Sequence, residues 1–409
     1  MPDSSTSVIV VGAGPAGVCL AYLLASRGVS VTLLERHRDF AREFRGEVLL
    51  PSGLEALHQM GLGEVVTRIP HLAPTAIELY ANARPVFRIQ VHPEFVGRHP
   101  PTVLSQPRFL GAVIEAARAF PAFRVKLGVT VSGLVRADGR VRGVTVRSET
   151  GEQTLHSDLV VGADGRSSVI RRACELDVRK HGLDVDVVWC KMPLPAFFSG
   201  QAPLRVYIGR AHLLIAYRSA DDLLQVAWVI TKGTHGALRR RGVSEWVEEM
   251  ARHVTPDLGV HFRAHSRSLT HPFLLSAVSD RVTPWSVPGA LVIGDAAHTM
   301  SPVGGQGINI ALRDAVVTAN HIVPVLQQPT TSERIDAATQ AIERERLPEL
   351  AHIQRLQAIP PRLLMGHTWW GAAFRATVPR LLRFEVVRRR ATPVVRAILF
   401  GHGDVRLRV

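Results

Sequence analysis

Long apolar runs, paired cysteines and aromatic residues are scarce in this sequence, and each scarcity excludes something. Nowhere do about 18 apolar residues follow one another, so no segment is expected to span a bilayer. The three cysteines, Cys19, Cys174 and Cys190, include no C-x-x-C pair and do not make a disulfide framework. Aromatics make up 6% of the chain, and lysine and arginine form no long tract before its last third, so nucleic-acid binding has no motif behind it. No H-E-x-x-H, clustered Cys/His or paired-carboxylate motif points to a metal, and none is expected. The first seven residues are polar and lead straight into an apolar run, without the pattern of a signal peptide. A reduced, cytoplasmic protein is the expectation.

What is present is an ordinary globular composition: 409 residues, 46% hydrophobic and 21% charged. That length corresponds to two or three domains of about 150 residues each. The net charge of +14 comes from scattered arginines and reads as solvated surface charge.

The N-terminal stretch SVIVVGAGPAGVCLAYLLASRGVSVTLLER supplies strand, glycine turn, helix and strand in one unit. Ser7 to Val11 is a valine-rich buried strand, and Gly12-Ala13-Gly14-Pro15-Ala16-Gly17 follows as G-x-G-x-x-G. The first glycine permits a tight turn, the second lets backbone approach a pyrophosphate, and the third lets helix pack on strand. The phosphates belong at the helix N-terminus, where N–H groups and the dipole favour anions. A second strand, Val29 to Leu34, ends in Glu35, placed to accept hydrogen bonds from an adenosine ribose. These residues alone leave FAD and NAD(P) as alternatives.

Two later stretches repeat the logic. In SDLVVGADGRSSVIRRACEL, Asp164 follows a short strand, and Ser167 or Ser168 can cap a helix running through Arg171. In ALVIGDAAHTMSPVGGQGINIALRDAV, Asp295 ends the strand from Ala290 to Ile293, and a helix is expected from Gln306 to about Ile322. Gly304, Gly305 and Gly307 leave bare backbone around that helix start.

Together these motifs resemble the class A FAD-dependent aromatic monooxygenases of the p-hydroxybenzoate hydroxylase and ubiquinone-biosynthesis hydroxylase type. GAGPAG is similar to their FAD fingerprint, GADGRSSVIR to their second motif and GDAAHTMSPVGGQGIN to their third. EFRGEVLLPSGLEALHQMGL also resembles the family segment after the second strand, with Arg45 and Gly46 at its R-G position. One departure is Arg313, where an acidic residue commonly precedes Asp314, and a changed surface contact is expected there.

The resemblance implies roles by position. Gly12 to Gly17 would hold the FAD pyrophosphate, Glu35 and the adjoining Arg36 the adenosine end, and Arg45 the pyrophosphate or an incoming nicotinamide nucleotide. Arg108 would contact the flavin's sugar chain and Val131 would pack near the adenine. Asp164 would organise the crevice, and Asp295 would bond ribityl and ribose hydroxyls. Backbone N–H groups of Ile308 and Asn309, next to Gly307, would face flavin N1 and the C2 carbonyl, where a helix terminus favours negative charge by a fraction of a kcal/mol to about 2 kcal/mol. Pro302, Gly304 and Gly305 would form the environment of the flavin edge, with no acid or base assigned. His298 is expected to be structural.

The implied reaction reduces FAD with NADPH or NADH, adds O2 to give a C4a-hydroperoxide, and hydroxylates or epoxidises an aromatic or polycyclic, lipophilic molecule. A flavin-dependent halogenase and a reductase of the geranylgeranyl type share parts of the pattern. No W-x-W is present for the former, and oxygen consumption separates the latter. A basic, membrane-associated binding protein with a vestigial nucleotide fold would lack flavin altogether.

The implied fold is α/β with α+β character: a Rossmann-like FAD-binding domain (1–74, 102–180 and 281–345), a substrate domain on an antiparallel sheet (75–101 and 181–280), and a C-terminal helical segment (346–409). Leu204 to Ile230, with a turn at Asp221-Asp222, would roof the flavin, and Arg205, Tyr217 and Trp228 are candidates to face substrate. The tail carries Trp369, Trp370, Arg380, Arg383, Arg388, Arg389 and Arg390. It reads as a helical cap on the other domains, with peripheral membrane contact as the second reading.

Overall fold

The structure is a computed structural model and describes residues 6–40, 47–92, 98–200, 203–209, 212–302 and 304–365. It also describes 377, 381, 384–387, 389–390, 393 and 405–409. Arg45 and Gly46 lie outside the described residues, as do Val303, Trp369, Trp370, Arg380, Arg383 and Arg388.

In chain order the first elements are β1 (Thr6–Val11), α1 (Pro15–Ser26), β2 (Val31–Glu35), β3 (Val48–Leu49), α2 (Pro51–Gln59), α3 (Gly63–Arg68) and β4 (His71–Leu72). There follow β5 (Ala76–Ala81), β6 (Arg84–Gln90), β7 (Thr102–Leu104), α4 (Gln106–Ala117), β8 (Phe123–Leu127), β9 (Thr130–Ala137), β10 (Arg140–Ser148) and β11 (Gly151–Gly162). Then come α5 (Val169–Ala173), β12 (Val178–Pro193), β13 (Leu204–Gly209), β14 (His212–Arg218), β15 (Leu223–Thr231), α6 (His235–Arg241), α7 (Val243–Arg252) and α8 (Pro256–Ala264). The last are β16 (Thr270–Val282), β17 (Ser286–Val287), β18 (Ala290–Val292), α9 (Gln306–Leu326) and α10 (Ser332–Met365).

The apolar runs that frame the three motifs pair side by side. β18, β11, β1, β2 and β8 are neighbours in that order and all parallel. β1, β2 and β18 are buried almost throughout, as expected for strands covered on both faces. β11 serves two partners in sequence: residues 151–156 pair with β10, and residues 157–162 pair with β1. The chain leaves β1 toward β2 on one side, and β11 occupies the other, so the strand order reverses at β1. That reversal opens a crevice at the strands' carboxyl ends.

The second sheet has the order β16-β12-β15-β14-β13-β5-β6. Only the β13–β5 pair in it is parallel. The expected turn at Asp221-Asp222 joins β14 to β15. One face of this sheet, carrying Val188, Cys190, Tyr207, Leu214, Val226 and Trp228, is packed with Trp246, Met250, Leu258 and Phe262 of α7 and α8. The other face carries Val187, Leu213, Ala227, Val229 and Ala277.

β12 and β16 are 16 and 13 residues long and pair antiparallel from Val178↔Val282 to Lys191↔Thr270. This ribbon carries the chain from the first sheet to the second and back. α9 runs past the expected Ile322 to Leu326, with Pro324 in its last turn. α10 is a single helix through the 345/346 boundary. No described helix is long and apolar enough to cross a membrane.

Candidate functional site

Four acidic or glycine positions stand at the carboxyl ends of neighbouring parallel strands: Asp295 after β18, Asp164 after β11, the Gly12–Gly17 turn after β1, and Glu35 ending β2. Their separation in the sequence is cancelled by the strand order.

Close packing explains the glycines. Gly12 has φ +102°, and a β-carbon there would come 2.5 Å from the Ala163 carbonyl oxygen. At Gly17 it would come 2.0 Å from the Gly12 carbonyl oxygen. Gly14, by contrast, has nothing nearer than 4.0 Å on that side, and no side chain caps α1, whose first residues are Pro15 and Ala16. The turn is thus held tight from behind and open in front, the arrangement a pyrophosphate needs at a helix N-terminus.

Glu35 is buried, and its carboxylate accepts the Ala13 N–H at 2.8 Å and the His37 N–H at 3.0 Å. The sequence suggested a ribose acceptor; the structure adds that Glu35 pins the glycine turn itself. Arg36 is exposed and donates to the His37 ring at 3.1 Å. Val131 is buried on β9, and the turn before it is tied to β2 by Val129 N–H donating to the Glu35 carbonyl. Arg108 is exposed in the first turn of α4, a helix that packs on α1.

Asp164 accepts the Val169 and Ile170 N–H groups through Oδ2, at 2.6 and 3.3 Å, while Ser168 caps α5 by accepting the Arg171 N–H at 2.9 Å. Its Oδ1 is buried and has no hydrogen-bond partner among the described residues. Asp295 sits in a 3-10 turn, 38% exposed, and its recorded ion-pair neighbour is Arg166 at 4.0 Å. Gly294 has φ +58°, and a β-carbon there would lie 3.1 Å from that of Ala16, so the third motif touches the first directly.

A buried charge network fixes this turn. Asp314 accepts the Gly294 N–H at 3.0 Å, bonds His298 Nε2 at 2.6 Å and accepts Arg346 Nε at 2.7 Å. Burial alone would raise the Asp314 carboxyl, but His298 and Arg346 outweigh it and hold it at about 2. His298 is thus buried and tied to Asp314 in this network. Arg313 corrects an expectation: it is no surface contact but 1% exposed, and with Arg346 it binds Glu349 of α10. The one-residue departure from the family pattern is absorbed by an inter-helix ion pair. Burial pulls the Arg313 guanidinium down to about 10 against the pull of Glu349.

At the start of α9, Gly304 and Gly305 have φ +82° and +62°, and the Gly305 N–H turns back to the Pro302 carbonyl at 3.1 Å. A β-carbon on Gly305 or Gly307 would meet nothing within 4 Å, and no side chain caps the helix. The first-turn amides of Gly307 and Ile308 have no carbonyl in the helix to accept them. Asn309 lies one step further along, and its side chain is also engaged, accepting the Leu50 N–H at 2.8 Å and donating to the Gly305 carbonyl at 2.9 Å.

The three residues expected to face substrate separate by strand alternation. Trp228 is in the cluster packed under α7 and α8, and Arg205 shares the parity of Tyr207 on that same side. Arg205 contacts Glu78, Asp257 and the Phe198 ring at 3.2, 3.5 and 4.8 Å. Both face the helices, away from α9, and are corrected to packing residues. Tyr217 shares the parity of Leu213 and Ile215, on the opposite face.

That face is oriented by two residues sequence reasoning missed. Lys191, in phase with Val187 on β12, donates to Glu47 at 3.0 Å and to both oxygens of Asp221 at 3.0 Å. Glu47 lies just ahead of β3 and the Leu50–Asn309 bond, so the face with Leu213, Ala227 and Val229 looks toward the start of α9. Burial pushes the Glu47 carboxyl up to about 7, more than Lys191 lowers it, because that ammonium is shared with Asp221. Burial, then Glu47 and Asp221, also push the Tyr217 phenol well above its usual value, and its hydroxyl has no partner among the described residues. A lone lysine inside VDVVWCKMPL was the available signal.

Comparison with known proteins agrees with this geometry. A family model described as FAD binding domain matches residues 5–351. The 6-methylpretetramide 4-monooxygenase of Streptomyces rimosus is 32% identical over 408 residues, 99% of this chain and 94% of that protein. A kynurenine 3-monooxygenase of Salinispora arenicola is 28% identical over 327 residues, 76% of this chain and 71% of its own. Among solved structures, P. aeruginosa PqsL in complex with 2-aminobenzoylacetate superposes with TM-score 0.76 at 19% identity, over 91% of this chain and 100% of that one, a likeness of fold. The open glycine turn, the unpartnered Asp164 oxygen and the uncapped α9 fit FAD, and the chain belongs to the class A FAD-dependent aromatic monooxygenases, oxidoreductases that use NAD(P)H and O2.

Proposed function

We propose that this monooxygenase hydroxylates or epoxidises an aromatic or polycyclic molecule carrying a phenolic or enolic hydroxyl, held between the second sheet and the Pro302–Ile308 segment. The observation that carries this reading is the sheet face itself. Leu213, Ile215, Ala227 and Val229 make it apolar, and Glu47, Lys191 and Tyr217 form one polar corner. A buried carboxyl near 7 and an unpartnered phenol are suited to bind a weakly acidic hydroxyl. The S. rimosus relative, by its name, oxidises 6-methylpretetramide, a comparison that supports a polycyclic substrate.

FAD supplies electron transfer from NAD(P)H and the activation of O2. The chain's own residues bind, orient and shield. Gly12 to Gly17 receive the pyrophosphate, Glu35 and Arg36 the adenosine, Arg108 the sugar chain, and Asp164 and Asp295 accept hydroxyl protons in hydrogen bonds. Val131 borders the adenine. Gly307, Ile308 and Asn309 would present N–H groups to the ring, and Pro302, Gly304 and Gly305 would let backbone approach its edge. Residues 1–74, 102–180 and 281–345 form the cofactor domain in this proposal, and 75–101 with 181–280 the substrate domain.

The test is a panel of polycyclic phenols and their O-methyl ethers, followed by NAD(P)H oxidation, O2 uptake and mass spectrometry. One added oxygen on the phenols is expected, and hydrogen peroxide as the sole product throughout would remove the proposal. Leu381, Phe384 and Val386 are exposed beside Arg389 and Arg390, which favours a peripheral membrane contact of the tail. Co-sedimentation with anionic liposomes, compared with a tail-deleted chain, tests it; no sedimentation of either protein would remove that contact.

A further inference from the structure

On the helix-covered side of the second sheet, away from α9, two histidines and a glutamate converge. His212 opens β14, while Glu249 and His253 lie four residues apart at the end of α7. Glu249 Oε1 is 3.2 Å from His253 Nε2 and 3.7 Å from His212 Nε2, and one ligand atom from each residue lies within 4.8 Å of the others. The imidazoles stack with centroids 3.6 Å apart. The geometry points to a divalent-metal site of the zinc class, formed by His212, Glu249 and His253, that fastens α7 to β14.

The spacing, the donor set and the surroundings each support it. Ligand atoms around tetrahedral zinc, each about 2.0–2.2 Å from the metal, stand about 3.3 Å apart, so the carboxylate–imidazole distances are already close to a coordination edge. Two imidazoles with one carboxylate suit a borderline divalent cation, and a fourth position is left for water. The second oxygen of Glu249 faces Arg252 Nη1 at 3.4 Å, an outer partner of the kind that orients ligating carboxylates. All three side chains are partly exposed, so an ion can enter.

The sequence carries no metal motif because the ligands come from elements far apart in the chain, and only the E-x-x-x-H spacing on α7 is local. The proposal is independent of the flavin site. Its consequence is mechanical: α7 covers the sheet whose other face looks toward α9.

The test uses the full chain with its flavin, stripped with chelator and titrated with Zn2+ against a chromophoric chelator, with Co2+ as a spectroscopic probe. One tight equivalent, a tetrahedral Co2+ spectrum and a rise in Tm are expected. Glu249→Gln preserves shape, and His253→Gln removes one imidazole. Each should weaken binding by more than about tenfold, since even outer partners of metal ligands are worth ~10–100-fold. Flavin absorbance and metal-free Tm verify that the variants fold. The tilted His261 and His265 rings lie 4.2 Å apart at the end of the next helix, and His261→Gln should leave the affinity unchanged. Absence of a tight equivalent, insensitivity to both substitutions, or its loss in His261→Gln would each overturn the proposal.

Discussion

The side-chain oxygen of Asn309 accepts the main-chain N–H of Leu50 at 2.8 Å, across 259 residues of sequence. The same amide donates to the Gly305 carbonyl, so one side chain ties α2 to the turn that opens α9. Asn309→Ala should leave a buried N–H without its acceptor, at about 1–3 kcal/mol. The expected result is a lower urea midpoint together with faster loss of visible flavin absorbance on dialysis. Asn309→Asp keeps an acceptor for Leu50 but sets a buried carboxylate oxygen against the Gly305 carbonyl, and should also be destabilised. An alanine variant with unchanged midpoint and flavin content would contradict this role.

Asp295 is different in kind, because among the described residues its part-exposed carboxylate has only Arg166 as an ion-pair neighbour, at 4.0 Å. Asp295→Ala should therefore change the apoprotein's Tm little while weakening FAD binding at least about tenfold, the scale of a charge-assisted hydrogen bond worth ~1.5–3 kcal/mol. Fluorescence titration of the apoprotein with FAD measures it. Full retention of the cofactor would displace Asp295 from the site.

Arg346 serves both Asp314 and Glu349, whereas Arg313 serves Glu349 alone among the ion pairs recorded. Arg346→Met strips a buried carboxylate of a partner and should cost about 3–5 kcal/mol. Arg313→Met leaves Glu349 still paired and should cost less. Chemical denaturation ranks the two variants, and the reverse order would refute the network as described.

Glu47 provides the pH signature. Its folded value of about 7 lies above the ordinary 4.5, so the folded chain binds a proton that the unfolded chain releases. Its contribution to stability is fully present below 4.5 and declines as pH rises through about 7. Glu47→Gln should flatten that decline and remove an inflection near 7 from the pH profile of kcat/KM on a phenolic substrate. A profile unchanged in Glu47→Gln would separate this group from the substrate corner.

The parts of this fold legible in sequence are those where local pattern and chemistry coincide. The Gly12–Gly17 turn joins an apolar strand to glycines where a β-carbon would clash, Glu35 puts a carboxylate at the end of a second apolar strand, and Gly304 and Gly305 take positive φ ahead of a helix. Trp228 and Arg205 misled because alternation says which residues share a face but not which face a distant helix pair covers. Arg313 misled for a similar reason: its burial depends on Glu349 in a helix whose packing no local pattern encodes. Lys191 escaped notice because its partners, Glu47 and Asp221, lie 144 residues before it and 30 residues after it in the sequence.

The long pairing of Val178–Pro193 with Thr270–Val282 has a consequence for motion. Two of the passages between the two sheets are strands of one hydrogen-bonded ribbon, while the chain also enters the second sheet at β5 and leaves it after β6. Along the ribbon, relative movement of floor and roof is torsion of a two-stranded bar. Its ladder bonds, remote from any bound molecule, add stiffness against the widening of the gap between them.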